Sequence, residues 1–210
     1  AISAQNHPKR EDMGARELPF AATVYIDRQD FAEDPPKGFK RLVPGGEVRL
    51  RNAYVIRCDQ VVKDAAGAVA ELHCSVDAET LGRKPEGRKV KGVIHWVSAA
   101  DGVAATVRLY DRLFSVAQPG GGERDFRADL NPASLTTLTH CVVEPSLANA
   151  MPGARFQFER EGYFVVDTEA APGALVLNRT VTLRDTWGKQ QQAGGAAAAG
   201  TASKPGADPR

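Results

Sequence analysis

The chain has 210 residues, of which 42% are hydrophobic, 25% charged and 7% aromatic, and its formal net charge is +1. These values are typical of a globular protein and exclude disorder as the dominant state, because enough apolar side chains are present to offset the conformational entropy lost on folding. No run approaches the roughly 20 consecutive apolar residues that a membrane-spanning helix needs, so we expect no membrane partner.

Short strands dominate the predicted secondary structure. Runs rich in β-branched and aromatic residues alternate with clusters of Gly, Pro, Asp and Asn, which is the pattern of strands joined by turns. In chain order, these runs are 18–27, 47–56, 69–76, 93–97, 105–110, 135–143, 155–159, 163–166 and 175–183. Only short helices are predicted, near 131–134 and 145–150. The pattern therefore predicts an all-β protein, with two small β-barrels in tandem.

The predicted organisation has four parts. From Lys189 onward the sequence is rich in Gln, Ala and Gly, which predicts a flexible, disordered tail over 189–210. We further predict an N-terminal arm over 1–15, a first barrel over 16–98 and a second barrel over 99–188. An exchange of strands between the two barrels is left open.

The cysteines and histidines form no recognisable site. Cys58, Cys74 and Cys141 are odd in number and widely spaced, which argues against a disulfide framework and a zinc knuckle and favours the reducing cytoplasm. Residues 1–10 lack an apolar core, so we expect no signal peptide there. A hydrolase using Cys141 or a Ser/His/Asp set is disfavoured because no nucleophile elbow occurs. We predict no metal site.

Positive charge is concentrated in two short segments. Residues 37–51 and residues 83–91 each hold five basic residues against one glutamate, whereas the whole chain is nearly neutral. Such a concentration favours a local anionic partner over general attraction. Two solvated loop faces would give the same pattern.

The first candidate site lies on the predicted strand 47–56. Alternation along a strand places Arg49 and Arg51 on one face and Leu50 on the other. The two guanidinium groups are then expected about 7 Å apart, a spacing that suits successive phosphates or unstacked bases. Alternatively, Glu47 neutralises Arg49 in an exposed ion pair.

The second candidate site surrounds Gln157. Alternation predicts that Phe156 and Phe158 point inward and Gln157 outward, and Gln and Arg side chains suit bidentate contacts with base edges. Strict alternation places Arg160 opposite Gln157, so the two can line one pocket only if the strand ends or bulges near Glu159. Otherwise Arg160 pairs with a neighbouring carboxylate.

Five sequence blocks can be compared with known families. They are RLRNAYV (49–55), VKGVIHWVS (90–98), RLYDRLF (108–114), FQFEREGYF (156–164) and NRTVTLRDTW (178–187). In this order they resemble the C-terminal, anticodon-binding half of bacterial glutaminyl-tRNA synthetases. Eukaryotic and archaeal glutamyl-tRNA synthetases share the architecture, but the last block favours the glutamine enzymes.

The resemblance implies that two barrels grip the anticodon loop of tRNA(Gln), with each anticodon base splayed into its own pocket. Lys40 and Arg41 match the positions that bind the third anticodon base, a guanine. Arg51, with Arg49 beside it, matches positions at the first base. RNA is read specifically where its bases are unstacked, which agrees with this implied role.

The resemblance implies further contacts from other parts of the chain. Gln157 and Arg160 match positions that enclose the central uracil, and a further arginine of that pocket lies upstream of this chain. Lys9 stands where asparagine is usual near the first base. Phosphate contacts, which carry no sequence information, are expected from Lys9, Arg10 and Lys37.

The family also implies chemistry that this chain does not carry. Glutaminyl-tRNA synthetases join glutamine to tRNA(Gln) with ATP and Mg in a Rossmann-type domain that has HIGH-like and KMSKS-like motifs, and neither motif occurs here. We therefore expect no catalytic residue and no bound ATP in this chain, and a catalytic domain N-terminal to it in the same enzyme. We expect a cytoplasmic monomer. The alternative is a stand-alone RNA-binding protein, since ribosomal proteins that bind 5S RNA share a related barrel.

Overall fold

The computed structural model describes residues 1–122, 124–171 and 173–183. Within these ranges the regular structure consists of strands and 3₁₀ helices of three or four residues. The predicted all-β class with few short helices is therefore confirmed. The predicted tail over 189–210 lies outside the described residues.

The elements are short, apart from four strands of eight or nine residues. The strands are β1 Ile2–Gln5, β2 Ala15–Leu18, β3 Val24–Tyr25, β4 Glu47–Leu50, β5 Val55–Lys63, β6 Val69–Asp77, β7 Val93–Ile94, β8 Val97–Ser98, β9 Val103–Tyr110, β10 Leu135–Val143, β11 Arg155–Phe158, β12 Gly162–Val166 and β13 Val176–Val181. The 3₁₀ helices are Glu11–Met13, Arg28–Asp30, Ala78–Thr80, Phe126–Asp129 and Pro145–Leu147.

The chain divides into two compact units. Unit 1 comprises Ala1–Ala105 and Thr139–Ala150, and unit 2 comprises Thr106–Leu138 and the described residues from Met151 onward. The division falls within β9 and within β10. Residues 139–150 belong to unit 1, although they follow much of unit 2 along the chain. The sequence analysis left open whether strands are exchanged between the two parts in this way.

Unit 1 contains the four-stranded sheet β6-β5-β4-β7 and two two-stranded sheets, β1-β2 and β3-β8. Strand β4 pairs antiparallel with β5 and parallel with β7. Val48 and Leu50 alternate inward along β4 and pack in one core with Leu42, Ile94 and Trp96. Each such buried side chain contributes about 1.5–3 kcal/mol of transfer free energy, which holds β4 and its neighbours in place.

Unit 2 contains strands of the sheet β10-β9-β13-β12-β11. Strand β13 pairs parallel with β9 and antiparallel with β12. The buried side chains include Val107, Phe164, Val166 and Leu177. The Phe164 ring stacks on Phe158 at a centroid distance of 4.5 Å, which anchors β11 to the sheet.

The described residues form no closed barrel. Their strands form open sheets of two to five strands, whereas a closed barrel needs every strand to be paired along both edges. Strands β3, β7 and β8 are only two residues long. Such short strands cannot continue the pairing around a barrel.

Two predicted strands are each interrupted. The run 18–27 contains only the last residue of β2, Leu18, and then β3, with a gap that begins at Pro19, which has no N–H to donate to a ladder. The run 47–56 breaks after Leu50 because Asn52 adopts a φ of 61° and the Ala53 N–H donates to the Leu50 carbonyl at 2.9 Å. Asparagine tolerates this left-handed conformation better than most residues, so a tight turn replaces the middle of the predicted strand.

Candidate nucleic-acid interface

The two basic segments meet in one cleft of unit 1, which we call the basic cleft. Its volume is about 480 Å³. Five of its lining side chains are basic and one is acidic, which gives the cleft a positive potential suited to an anionic ligand. The lining residues are Phe39, Lys40, Arg41, Gly45, Glu47, Arg57, Lys89, Val90, Lys91 and Gly92.

Parallel pairing of β4 with β7 brings the two segments together. The Arg49 N–H donates to the Gly92 carbonyl at 3.0 Å. A Cβ on Gly92 would lie 2.1 Å from the carbonyl oxygen of Lys40 and 2.9 Å from the Val48 side chain. Only glycine therefore allows residues 89–92 to approach Lys40 this closely.

Gly92→Ala is expected to lower the free energy of unfolding by about 1–3 kcal/mol, because the added methyl group overpacks this contact. Urea denaturation followed by circular dichroism measures the effect. Gly121→Ala is the matched control, since its Cβ would find its nearest neighbour at 3.5 Å, an ordinary contact distance. Equal unfolding midpoints for the two variants would contradict the close approach at Gly92.

Arg41 is a cleft residue whose side chain is held by contacts with the protein. Its Nε lies 3.2 Å from the Asp30 carboxylate, and its Nη1 donates to the Gln29 carbonyl at 2.8 Å. The Arg41 side chain is 24% exposed, whereas the neighbouring Lys40 is an exposed residue. The cleft thus presents one oriented guanidinium group beside an exposed lysine.

Arg49 and Arg51 do not share a strand face, so that part of the prediction is wrong. Arg49 lies on β4, while Arg51 lies in the turn that follows it and is exposed. The Arg49 guanidinium donates to the carbonyl oxygens of Ala53 and Thr80, each at 2.8 Å, and also to that of Arg83. Arg49 therefore ties the turn to the segment that follows β6.

Glu47 does not pair with Arg49, which corrects the alternative interpretation of this strand. Its carboxylate accepts from Arg88 Nε at 3.0 Å, and the Arg88 Nη2 also pairs with Asp77. These bonds raise the pKa of Arg88, with Glu47 making the largest contribution. Arg88 is thus bound to two carboxylates on the strands β4 and β6, instead of lying in the basic cleft.

The turn that carries Arg51 is fixed through its backbone. The Arg51 carbonyl accepts from the indole Nε1 of Trp96 at 2.9 Å, and the Arg51 N–H donates to the Ile94 carbonyl at 2.9 Å. Trp96 is buried, and its ring contacts Phe20 at a centroid distance of 5.3 Å. The position of Arg51 is therefore set by the core of unit 1, although its side chain is exposed.

In unit 2, Gln157 and Arg160 lie at the β11–β12 hairpin. Gln157 is exposed and faces Tyr163 as its cross-strand partner. Strand β11 ends at Phe158, and Arg160 sits in the following turn with a φ of 63°. The strand ends before Arg160, so alternation does not separate the two side chains, which is the condition set by the sequence analysis.

The three residues expected at phosphates do not line the basic cleft. Lys9 and Arg10 are exposed and lie between β1 and β2, and Lys37 is exposed before the cleft residues. The Arg10 guanidinium pairs with the exposed Asp12 at 2.6 Å, which lowers the pKa of that carboxyl group. An exposed pair of this kind is weak and can exchange for another anion.

Sequence reasoning did not single out Arg57, which also lines the basic cleft. It lies on β5 directly opposite Glu47 in the antiparallel register with β4. The pairing of Glu47 with Arg57 could not be predicted, because the run 47–56 has the pattern of one continuous strand. A hairpin centred on Asn52 would have placed Arg57 beside the first basic segment.

The described residues contain neither a group of metal-binding side chains nor a membrane-spanning helix. Within residues 1–122, 124–171 and 173–183, no group of three or more His, Cys, Asp or Glu side chains is arranged to hold a metal ion. In that same part of the chain, no helix is long and apolar enough to cross a membrane.

Two segments of the chain match known family models. The description "tRNA synthetases class I (E and Q), anti-codon binding domain" applies to the models that match residues 1–77 and residues 93–167. The chain belongs to this family of anticodon-binding domains, which confirms the resemblance drawn from the five sequence blocks.

Curated relatives within this family are glutamine–tRNA ligases. The chain is 62% identical over 191 residues to those of Ectopseudomonas mendocina and Stutzerimonas stutzeri, and 58% identical over 192 residues to that of Azotobacter vinelandii. Each alignment covers 90% of this chain and 34% of the relative. The chain thus spans about a third of the length of the curated relatives it matches.

Proposed function

We propose that the chain recognises the anticodon of tRNA(Gln) as part of a glutamine–tRNA ligase. The convergence of two basic segments in one cleft, with Arg41 held in a fixed orientation, carries this proposal. The volume of about 480 Å³ lies within the range of about 300–1,000 Å³ that is usual for small-molecule sites. The cleft can therefore admit an unstacked base together with its phosphate.

In this proposal the basic cleft receives the third anticodon base. Arginine and lysine both suit the acceptor edge of guanine, and arginine binds it with two hydrogen bonds. Arg41 and Lys40 would read the base, while Arg57, Lys89 and Lys91 would neutralise the adjoining phosphates. The division of work follows from the geometry, because Arg41 is held by protein acceptors and Lys40 is exposed.

At the first anticodon base we propose different roles for the two neighbouring arginines. Arg51 would contact the base from its turn between β4 and β5. Arg49 would act through that turn, because its guanidinium donates to the Ala53 carbonyl within it. The central uracil would be enclosed by Gln157 and Arg160 at the β11–β12 hairpin of unit 2.

The joining of glutamine to tRNA would take place in another part of the same enzyme. The chain corresponds to about a third of its curated glutamine–tRNA ligase relatives. A catalytic domain would use ATP with Mg²⁺ as a substrate, and this chain would supply selectivity for the tRNA. We propose a monomer in the cytoplasm, where translation takes place.

Replacing the central uracil of the anticodon loop by cytosine is expected to weaken binding to the 210-residue chain about tenfold, since one well-formed base contact discriminates by about 1–3 kcal/mol. Fluorescence titration with anticodon stem-loops of tRNA(Gln) measures the two affinities. Gln157→Ala is expected to remove the preference of the chain for the uracil loop over the cytosine loop. Gln60→Ala, which changes an exposed glutamine on β5, is the matched control. Equal affinities of the unmodified chain for the two loops would reject base recognition.

A further inference from the structure

Asp30 is a carboxylate buried in the interior of unit 1. Its exposed fraction is 0%, and its chain neighbour Phe31 and the nearby Leu42 are buried apolar residues. A carboxylate in such surroundings is unfavourable unless a cation and hydrogen bonds compensate for the lost hydration. Asp30 therefore calls for an explanation beyond packing.

The backbone fixes Asp30 beside Arg41. Asp30 ends the 3₁₀ helix Arg28–Asp30, and its N–H donates to the Asp27 carbonyl at 2.8 Å. Its carbonyl accepts from the Leu42 N–H at 3.0 Å, and the Leu42 carbonyl accepts from Ala32 at 3.2 Å. These bonds pair the segment that carries Asp30 with the segment that carries Arg41, so the distance between the two side chains is set by the fold.

The Arg41 guanidinium donates a hydrogen bond to the Gln29 carbonyl and forms an ion pair with the Asp30 carboxylate, whose Oδ1 accepts no hydrogen bond from the described residues. The Nε lies 3.2 Å from Asp30 Oδ1, and Nη1 lies 2.8 Å from the Gln29 oxygen. With the Asp30 side chain fully buried and that of Arg41 24% exposed, the guanidinium is held from its inner side. The hydrogen bond and the ion pair together restrict the orientation of Arg41 where it lines the basic cleft.

We propose that Asp30 is a positioning residue that orients Arg41 and thereby sets specificity at the third anticodon base. The proposal rests on the proposed function. Asp30 also offsets the charge of Arg41, so this arginine acts as a directional donor and contributes little to general attraction for RNA. Stability alone does not account for the pair, because apolar residues of similar volume often replace a buried ion pair without loss of stability.

Asp30→Asn tests the proposal through a double-mutant cycle with Arg41→Ala in the 210-residue chain. The measured quantity is the ratio of dissociation constants for two anticodon stem-loops, one with adenine and one with guanine at the third position. We expect Asp30→Asn to lower this ratio about tenfold without weakening the adenine loop, whose affinity should stay the same or rise because a negative charge beside the cleft is removed. The double variant should give the same ratio as Arg41→Ala alone, because Asp30 acts through Arg41.

A merely structural role gives a different result. Loss of folding would lower the affinity for both loops equally. Independent roles would make the effects of the two substitutions on the free energy of discrimination additive. Either outcome overturns the proposal. Circular dichroism shows whether Asp30→Asn folds. If it does not fold, Asp30→Glu replaces it, because this variant keeps the charge but displaces the carboxylate, and it is expected to lower the same ratio.

The unmodified chain separates this inference from the proposed function. If the unmodified chain does not prefer the guanine loop, third-base recognition is wrong and the role of Asp30 falls with it. If the unmodified chain prefers guanine and Asp30→Asn keeps the full preference, the role of Asp30 alone is wrong.

Discussion

Glu144→Gln is expected to lower the free energy of unfolding by roughly 2–4 kcal/mol, because it removes one partner of a largely buried ion pair. The Glu144 carboxylate accepts from Arg16 Nε at 2.5 Å and from Arg16 Nη2 at 3.1 Å, and its Oε1 lies 3.4 Å from His95 Nε2. The Glu144 side chain is 13% exposed and that of Arg16 26%. The carboxylate joins β2, the segment between β7 and β8, and the returning residues 139–150 within unit 1.

The same carboxylate predicts how stability depends on pH. Burial by itself would raise the pKa of Glu144, but hydrogen bonds from His95 and Arg16 outweigh it and lower the pKa from 4.5 to about 2. A carboxyl group with a depressed pKa stabilises the fold fully above its unfolded pKa and loses that contribution as the pH falls through its folded pKa. We therefore expect the difference between the unmodified chain and Glu144→Gln to be constant above pH of about 5 and to shrink toward pH of about 2.

Urea denaturation at several pH values measures this difference. Glu17→Gln is the matched control, because Glu17 is an exposed residue on β2 next to Arg16. It is expected to change the free energy of unfolding by no more than about 0.5 kcal/mol. A Glu144→Gln variant as stable as the unmodified chain, or a difference that does not change between pH of about 5 and pH of about 2, would show that the cluster does not hold the three segments.

Strands β6 and β10 could be predicted from the sequence because their signals are local, whereas most of β5 lies beyond the predicted run 47–56. The run 135–143 coincides with β10, and the run 69–76 differs from β6 by one residue. Both runs are free of proline and glycine, so no residue interrupts the pairing. Pro19 was a signal against a continuous strand over 18–27, whereas Asn52 lies inside an apolar run and gives little indication of a turn.

The candidate site could be predicted only as separate parts. Lys40 and Arg41 were identified through the resemblance, and the segment 83–91 was identified by its charge. The two basic segments lie together because Arg49 pairs with Val93 in the parallel β4–β7 pairing, and these residues are far apart in the sequence. No local pattern encodes such a pairing, since parallel strands are joined by long connections.

The side chains that orient the site were the least predictable. Asp30 lies in a short polar segment, and the sequence does not indicate that its carboxylate is buried against Arg41. Arg49 was interpreted as a displayed cation, but its guanidinium binds the carbonyls of Ala53 and Thr80. A half-buried arginine bound to backbone carbonyls and an exposed arginine available to a ligand have the same letter in the sequence. Only the tertiary contacts distinguish positioning from recognition.

Arg41→Ala is expected to reduce the preference of the chain for guanine over adenine at the third anticodon position by about tenfold to a hundredfold, because a bidentate contact to guanine discriminates by about 1–3 kcal/mol. Affinity for the adenine loop should fall much less, since adenine lacks the two adjacent acceptors that this bidentate contact needs. Fluorescence titration with the two stem-loops measures both quantities. An equal loss for both loops would assign Arg41 to a phosphate and reject its role in reading the base.

Lys89→Gln is the matched control for this experiment. Lys89 lines the same cleft and is exposed, so we expect it to contact phosphate only. The variant should lower the affinity for both stem-loops by the same factor. It should also reduce the slope of log affinity against log salt concentration by about 0.7, because one phosphate contact is lost. Arg41→Ala should leave that salt dependence nearly unchanged, because in the proposal Arg41 contacts the base and neutralises no phosphate. The two variants together separate recognition of the base from attraction to the backbone within one cleft.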